Sequence, residues 1–173
     1  MTPHTRKCYS AKRRFAAKHE KDVVLGLGNV LMSDEGIGVH LIERLSVLRK
    51  KFAHVDFIDA GTAGMSILHL IANRRKAIII DCAKMQTAPG TIRRFGPHQV
   101  ESVKTLAHYS CHEADILQIV GLCRQLGQLP DEIVFFGIEP ETVAPGRSIS
   151  QTLASGINDY VDAVCKELTC QID

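Results

Sequence analysis

Four acidic positions and two histidines carry the chemistry that this sequence offers. Asp34 and Glu35 stand side by side in a Gly-rich stretch, Asp22–Leu45 (DVVLGLGNVLMSDEGIGVHLIERL). Asp59 and Asp81 lie at the ends of two apolar runs, VDFIDA and KAIIID, and His108 and His112 fall four apart in AHYSCHEAD. Carboxylates brought together repel one another unless they are protonated or bridged by a cation. A transition-metal site of that kind ordinarily adds an imidazole. The chemistry on offer is therefore metal ligation, provided the fold gathers residues this far apart in the chain.

Two other chemistries compete for the same residues. Gly26-Leu27-Gly28 after a strand resembles the start of a dinucleotide-binding G-x-G-x-x-G turn, and Asp59 matches its ribose acid. The third glycine position, however, holds Leu31, so the expectation is a helix that does not approach the strand as that motif requires. Asp34 and Glu35 also occupy the helix N-terminus that would receive a pyrophosphate, and like charge there costs several kcal/mol. The third chemistry is a cysteine nucleophile, from Cys111 beside His112 or Cys82 beside Asp81. Sequence neighbours on a helix point about a third of a turn apart, which places Cys111 poorly for sharing a proton with His112. The six cysteines form no C-x-x-C pair, which argues against a zinc knuckle. Cys123 and Cys165 fall in apolar helical patterns and read as core.

The elements that must position these residues alternate between strand and helix. Val23–Leu27, Val55–Ala60 and Lys76–Cys82 are near-continuous apolar runs suited to buried parallel strands. Between them, Ile37 to Leu48 recurs at helical spacing, ending near Arg49–Lys51, and Met65–Ala72 gives a short helix that Asn73 stops. Thr91–Phe95 is a short charged strand, reached through a loop too brief for a helical crossover, so it reads as antiparallel at an edge. Gly96–Ser110 has no clear pattern. A helix over Glu113–Gln128, a strand over Glu132–Ile138, an irregular loop and a last helix capped by Ser150 or Thr152 complete the chain. Such alternation implies a three-layer α/β/α domain with a mostly parallel sheet. All carboxyl ends then open on one edge, which brings Asp59, Asp81 and the Asp34-Glu35 pair near one another where α/β folds bind ligands. Ser110 and Glu113 read as a capping box. That sets His112 in the first helical turn facing the strand ends, with a merely capping or surface histidine as the alternative that spacing leaves open. His40, His54, His69 and His98 have no such context and read as surface residues.

The chain of 173 residues fits one domain, with 45% hydrophobic and 23% charged residues, as in ordinary soluble proteins. No apolar run is long enough to span a membrane, and no secretory signal is visible, so the expectation is a cytoplasmic protein with free thiols. Residues 1–21 hold seven Lys and Arg against Glu20 alone, a net +6, which leaves −4 for the rest of a chain that totals +2. Residues 1–21 read as a solvated, poorly ordered basic extension, and 22–173 as one domain. A nucleic-acid arm or a transit peptide would share that charge. The tail lacks interleaved stacking aromatics, and neither a nucleic acid nor a membrane is an expected partner.

Taken in order, G-L-G-N-x-L-x-x-D-E-G-x-G (Gly26 to Gly38), D-x-G-T-x-G (Asp59 to Gly64), I-I-I-D (Ile78 to Asp81), P-G-T (Pro89 to Thr91), S-C-H-E (Ser110 to Glu113) and G-I-E-P (Gly137 to Pro140) resemble the nickel-iron hydrogenase maturation endopeptidases. The resemblance covers about residues 22–165. It implies a phosphorylase/hydrolase-like α/β/α fold with five strands, the fourth antiparallel at or near an edge. It also implies an activity: removal of a C-terminal peptide from the precursor of a hydrogenase large subunit after nickel insertion. The family's metal-binding carboxylates and histidine carry over to Glu35, Asp81 and His112, with the nickel supplied by the substrate. Asp59 matches a family motif residue near the site and joins the catalytic set, and Asp34 is available to orient Glu35 or to join the ligands. The alternatives from other classes are a non-enzymatic nickel chaperone for the hydrogenase and a nucleotide-binding module.

Overall fold

The computed structural model describes residues 21–97, 99 and 113–170. Five strands form one sheet: β1 (Asp22–Leu27), β2 (Val55–Gly61), β3 (Lys76–Cys82), β4 (Ile92–Phe95) and β5 (Glu132–Ile138). Their spatial order is β2-β1-β3-β5-β4. β1 runs parallel to β2 and β3, β3 runs parallel to β5, and β4 closes the far edge antiparallel to β5. The helices described are α1 (Ile37–Ser46), α2 (Ile67–Ile71), α3 (Glu113–Gln125) and α4 (Gln151–Thr169). None of them is long and apolar enough to cross a membrane.

The strands take this form because their side chains are apolar on both faces. Ile78 and Ile80 of β3 point into a core with Ile37, Leu41 and Leu45 of α1 and Leu153 and Val164 of α4. Ala77 and Ile79 point the other way, into a core with Ile67 and Ile71 of α2 and Ile119 and Cys123 of α3. The sheet is thus the middle of three layers. The chain leaves β1 through α1 on one face and leaves β2 through α2 on the other. The path therefore switches direction between β1 and β3, the position where such sheets open a crevice at their carboxyl ends.

The glycines of the opening stretch set how closely α1 sits on this sheet. A Cβ on Gly26 would lie 2.2 Å from the Gly38 carbonyl oxygen, and one on Gly38 would lie 2.3 Å from that of Leu27 and 2.6 Å from that of Ile80. The close helix–strand approach expected to be missing with Leu31 in the third glycine position is therefore present. Gly26 and Gly38 supply it instead.

Three helices are shorter or differently begun than the apolar periodicity implies. α1 ends at Ser46, and turns continue to His54, with the Val47 N–H bonded back to Arg44 rather than four residues back. α2 is preceded by a 3-10 turn, Gly64–Ser66. α3 stops at Gln125, where Gly127 takes φ +69° and the Gln128 N–H returns to the Cys123 carbonyl, a glycine-closed helix end. Asn73, at φ +58°, terminates α2 as expected, and the Ser150 side chain accepts the Leu153 N–H at 3.3 Å to cap α4.

Candidate active site

The loop after β1 is a rigid piece of backbone. Gly28 takes φ +126°, and a Cβ there would lie 1.8 Å from the Glu35 carbonyl oxygen. Gly28 is thus required by the close approach of the chain's own backbone at Glu35, with no phosphate needed to explain it. The Asn29 side chain accepts the Leu31 N–H at 2.9 Å and its carbonyl accepts the Met32 N–H at 3.0 Å, folding the loop back on itself. A 3-10 turn, Ser33–Gly36, then carries Asp34 and Glu35 directly into α1.

On a 3-10 turn successive side chains diverge by about 120°, and the two acids part accordingly. Asp34 is fully buried. One of its oxygens accepts the N–H groups of Glu141 and Thr142, each at 2.9 Å, and the other accepts that of Ser150 at 2.6 Å. All three of these bonds come from backbone N–H groups of the stretch after β5. Asp34 is the anchor of the loop between β5 and α4. Glu35 is half-exposed on the same turn.

Asp81 is half-exposed at the end of β3, and its Oδ1 accepts the Cys82 N–H at 2.8 Å. Ile80 and Cys82 on either side of it belong to the core under α1 and α4. Strand alternation therefore aims Asp81 toward the α2/α3 face, which separates it from the Cys82 thiol and weakens the nucleophile reading. Because Gly38 packs on the Ile80 carbonyl, the turn bearing Glu35 sits beside the strand end bearing Asp81. These two carboxylates flank the switch point. Asp59 is exposed at the end of β2, on the far side of β1, about 10 Å from Asp81 by strand spacing. Just beyond Asp59, Ala60 has no partner on β1, so β2 bulges at the site's margin.

His112, with His108, Ser110 and Cys111, lies outside the described residues. Among the described residues no three His, Cys, Asp or Glu side chains gather as a metal set. His54 and His69 are exposed as expected, whereas His40 is half-buried on α1, with Nδ1 3.7 Å from Glu43.

A second buried carboxylate, not singled out in the sequence, matches Asp34. Glu139, in the G-I-E-P stretch, accepts the Met85 N–H at 2.6 Å, the Thr87 N–H at 3.1 Å and the Thr87 hydroxyl at 3.1 Å. Both acids bind the spare N–H groups of irregular loops, which cannot pair within a helix or sheet. The signal available in sequence was only indirect: two acids in one tight turn cannot face the same way, and an irregular loop needs acceptors. The two loops are also joined directly. Ser33 N–H donates to the Gly146 carbonyl at 2.8 Å, Gly146 N–H to that of Leu31 at 2.9 Å, and Asp34 N–H to that of Thr142 at 3.2 Å. Ser33 Oγ adds a bond to the Ala144 carbonyl at 2.9 Å.

Residues 39–167 match the family described as HycI, hydrogenase maturation protease. The chain is 31% identical over 147 residues to the hydrogenase 2 maturation protease of Escherichia coli (strain K12), covering 84% of this chain and 89% of that one. It is 29% identical to the hydrogenase expression/formation protein HoxM of Cupriavidus necator, over 81% of this chain and 70% of that one. Among solved structures it is similar to the hydrogenase maturating endopeptidase HybD from E. coli, with a TM-score of 0.76 and 30% identity over 86% of this chain and 91% of that one.

Proposed function

The chain belongs to the hydrogenase maturation protease family, and from that premise we propose that it removes a C-terminal peptide from the nickel-loaded precursor of a nickel-iron hydrogenase large subunit. The nickel arrives as part of the substrate, held by the precursor's cysteines. Glu35, Asp81 and His112 contact it from the enzyme's side. The observation that supports this reading is that the turn bearing Glu35 leads into a helix whose Gly38 packs against the Ile80 carbonyl, next to the β3 end bearing Asp81. Two carboxylates in that position make a half-site for a cation that the precursor half-coordinates. The metal then acts as a token of readiness: without it, neither half-site holds the other. Once held, it can polarise the scissile carbonyl or activate a water as a Lewis acid. Asp59, at the margin of the same edge, belongs to the catalytic set in this reading. A family of proteases sets aside the non-enzymatic nickel carrier.

The test is release of the C-terminal peptide from nickel-loaded precursor, read as an electrophoretic shift. Glu35→Gln, Asp81→Asn and His112→Ala are each expected to slow release at least about 100-fold, the order of loss on removing one electrostatic stabiliser, with unfolding midpoints near wild type. Normal cleavage by all three variants would overturn the assignment.

A further inference from the structure

Among the described residues six large apolar side chains are exposed: Val30, Leu31, Val47, Met65, Leu126 and Val143. Isolated exposed apolar residues are ordinary on a soluble protein, but a contiguous group marks a contact surface. Val47 and Leu126 each stand alone, just past the ends of α1 and α3. The other four sit on three loops at the carboxyl edge. Val30 and Leu31 follow β1, Met65 follows β2, and Val143 follows β5.

These loops are fixed to one another. The hydrogen bonds of Ser33, Asp34 and Gly146 described above tie the stretch bearing Leu31 to the stretch bearing Val143, and Met32 and Gly146 form a parallel bridge. Val30 is held against Gly36, where a Cβ would lie 2.8 Å from the Val30 Cα. The Gly28 N–H donates to the Gly61 carbonyl at 3.0 Å, which links the first loop to the one bearing Met65. The result is a preorganised apolar lip on loops tied to the stretch that leads into the turn bearing Glu35. A surface already rigid loses little entropy on binding.

We propose that this lip, with Leu31 and Val143 at its centre, seats an apolar stretch of the precursor polypeptide flanking the scissile bond, and so sets which precursor the enzyme accepts. The proposal rests on the function proposed above, because it takes the occupant to be the chain that must enter this edge. The lip is continuous with the turn that carries Glu35. An extended segment that enters beside Glu35 is taken to lie over Leu31 and Val143.

The experiment measures KM and kcat for peptide release, and precursor affinity, for four proteins: wild type, the pair Leu31→Ser/Val143→Ser, the distant pair Val47→Ser/Leu126→Ser, and Met65→Ser. The lip pair is expected to raise KM and weaken affinity about tenfold, as for two truncated interface side chains, with kcat within about twofold and the unfolding midpoint near wild type. Met65→Ser should shift KM in the same direction by less, and the distant pair should behave as wild type. A folded lip pair with wild-type KM and affinity overturns the proposal, as does an equal effect of the distant pair. If wild type bound precursor but released no peptide, the proposed function would fall, while the affinity comparison would still decide the lip. Sedimentation supplies the remaining outcome. A wild-type dimer that the lip pair makes monomeric, with KM unchanged, would make the lip a self-association face and overturn the proposal.

Discussion

At the amino edge of the sheet, the carboxylates of Asp22, Asp56, Glu132 and Glu167 meet guanidinium and ammonium groups; at the carboxyl edge, those of Asp34 and Glu139 meet backbone N–H groups and one threonine hydroxyl. The first set is built from Arg75 on Asp22, Arg74 on Asp56 at 2.6 Å, and Lys76 between Glu132 at 3.0 Å and Glu167 at 2.6 Å, with Arg94 also on Glu167 at 2.7 Å. The second set has the partners already given for Asp34 and Glu139. Both devices hold buried carboxylates, Asp22 and Glu167 at one edge and Asp34 and Glu139 at the other. They differ in what they leave behind. A side-chain cation cancels the charge locally. Neutral N–H dipoles stabilise an anion without cancelling its charge, so Asp34 and Glu139 keep theirs. One edge pairs its carboxylates with cationic side chains, and the other pairs them with neutral donors.

This contrast can be broken by substitution. Asp34→Asn has the largest expected effect, about 3 kcal/mol of lost stability, since an amide turns its own donors toward N–H groups that had charged acceptors. It should also slow peptide release, because the loop it anchors lies beside Glu35. Chemical denaturation together with the cleavage assay checks both, and a variant that loses stability yet cleaves at the wild-type rate would make the two edges equivalent.

Glu167→Gln should cost about 2 kcal/mol and leave the rate of peptide release by folded protein unchanged. Its signature lies in pH. Burial by itself would raise the Glu167 carboxyl, but hydrogen bonds from Arg94 and Lys76 outweigh it and hold the group below its ordinary value. A depressed folded value means the stabilisation is complete above the unfolded value, near 4.5, and is lost as pH falls below it. Wild type should therefore destabilise more steeply than Glu167→Gln as pH falls below 4.5, as read from denaturation midpoints at successively lower pH. Identical slopes would remove Glu167 from the account.

Lys21→Ala should have the smallest effect, about 0.5 kcal/mol or less. Its 3.3 Å contact with Asp56 is solvent-exposed and Arg74 remains on the same carboxylate. A larger loss in thermal melts would show that the amino edge acts as one network rather than as separate pairs.

How much of this was legible in the sequence follows from the same physics. β3 and β5 match their apolar runs at both ends, Lys76–Cys82 and Glu132–Ile138, because a strand buried on both faces has nowhere to place a polar residue except at its ends. The antiparallel fourth strand was legible from a connecting loop too short for a crossover. Asp81 was legible as the acid ending β3, and Glu35 as an acid in the loop between β1 and α1. The division of labour between Asp34 and Glu35 was not, because it depends on a turn geometry that leaves no periodicity. Glu139 was missed for a related reason: its partners are backbone groups, which carry no residue-type signal. Residues 96–110 offered no pattern, and the histidine that completes the proposed ligand set lies in the stretch after them.

The ties between the β1 and β5 loops have a consequence for how this region exchanges with solvent. The amides of Ser33, Asp34, Glu141, Thr142, Gly146 and Ser150 belong to segments outside any strand or α-helix, yet each donates to a fixed acceptor. In deuterium they should exchange on the slow timescale of the neighbouring strands, giving an island of protected amides within a loop. Such an island would make the loops after β1 and β5 as resistant to opening as the strands beside them.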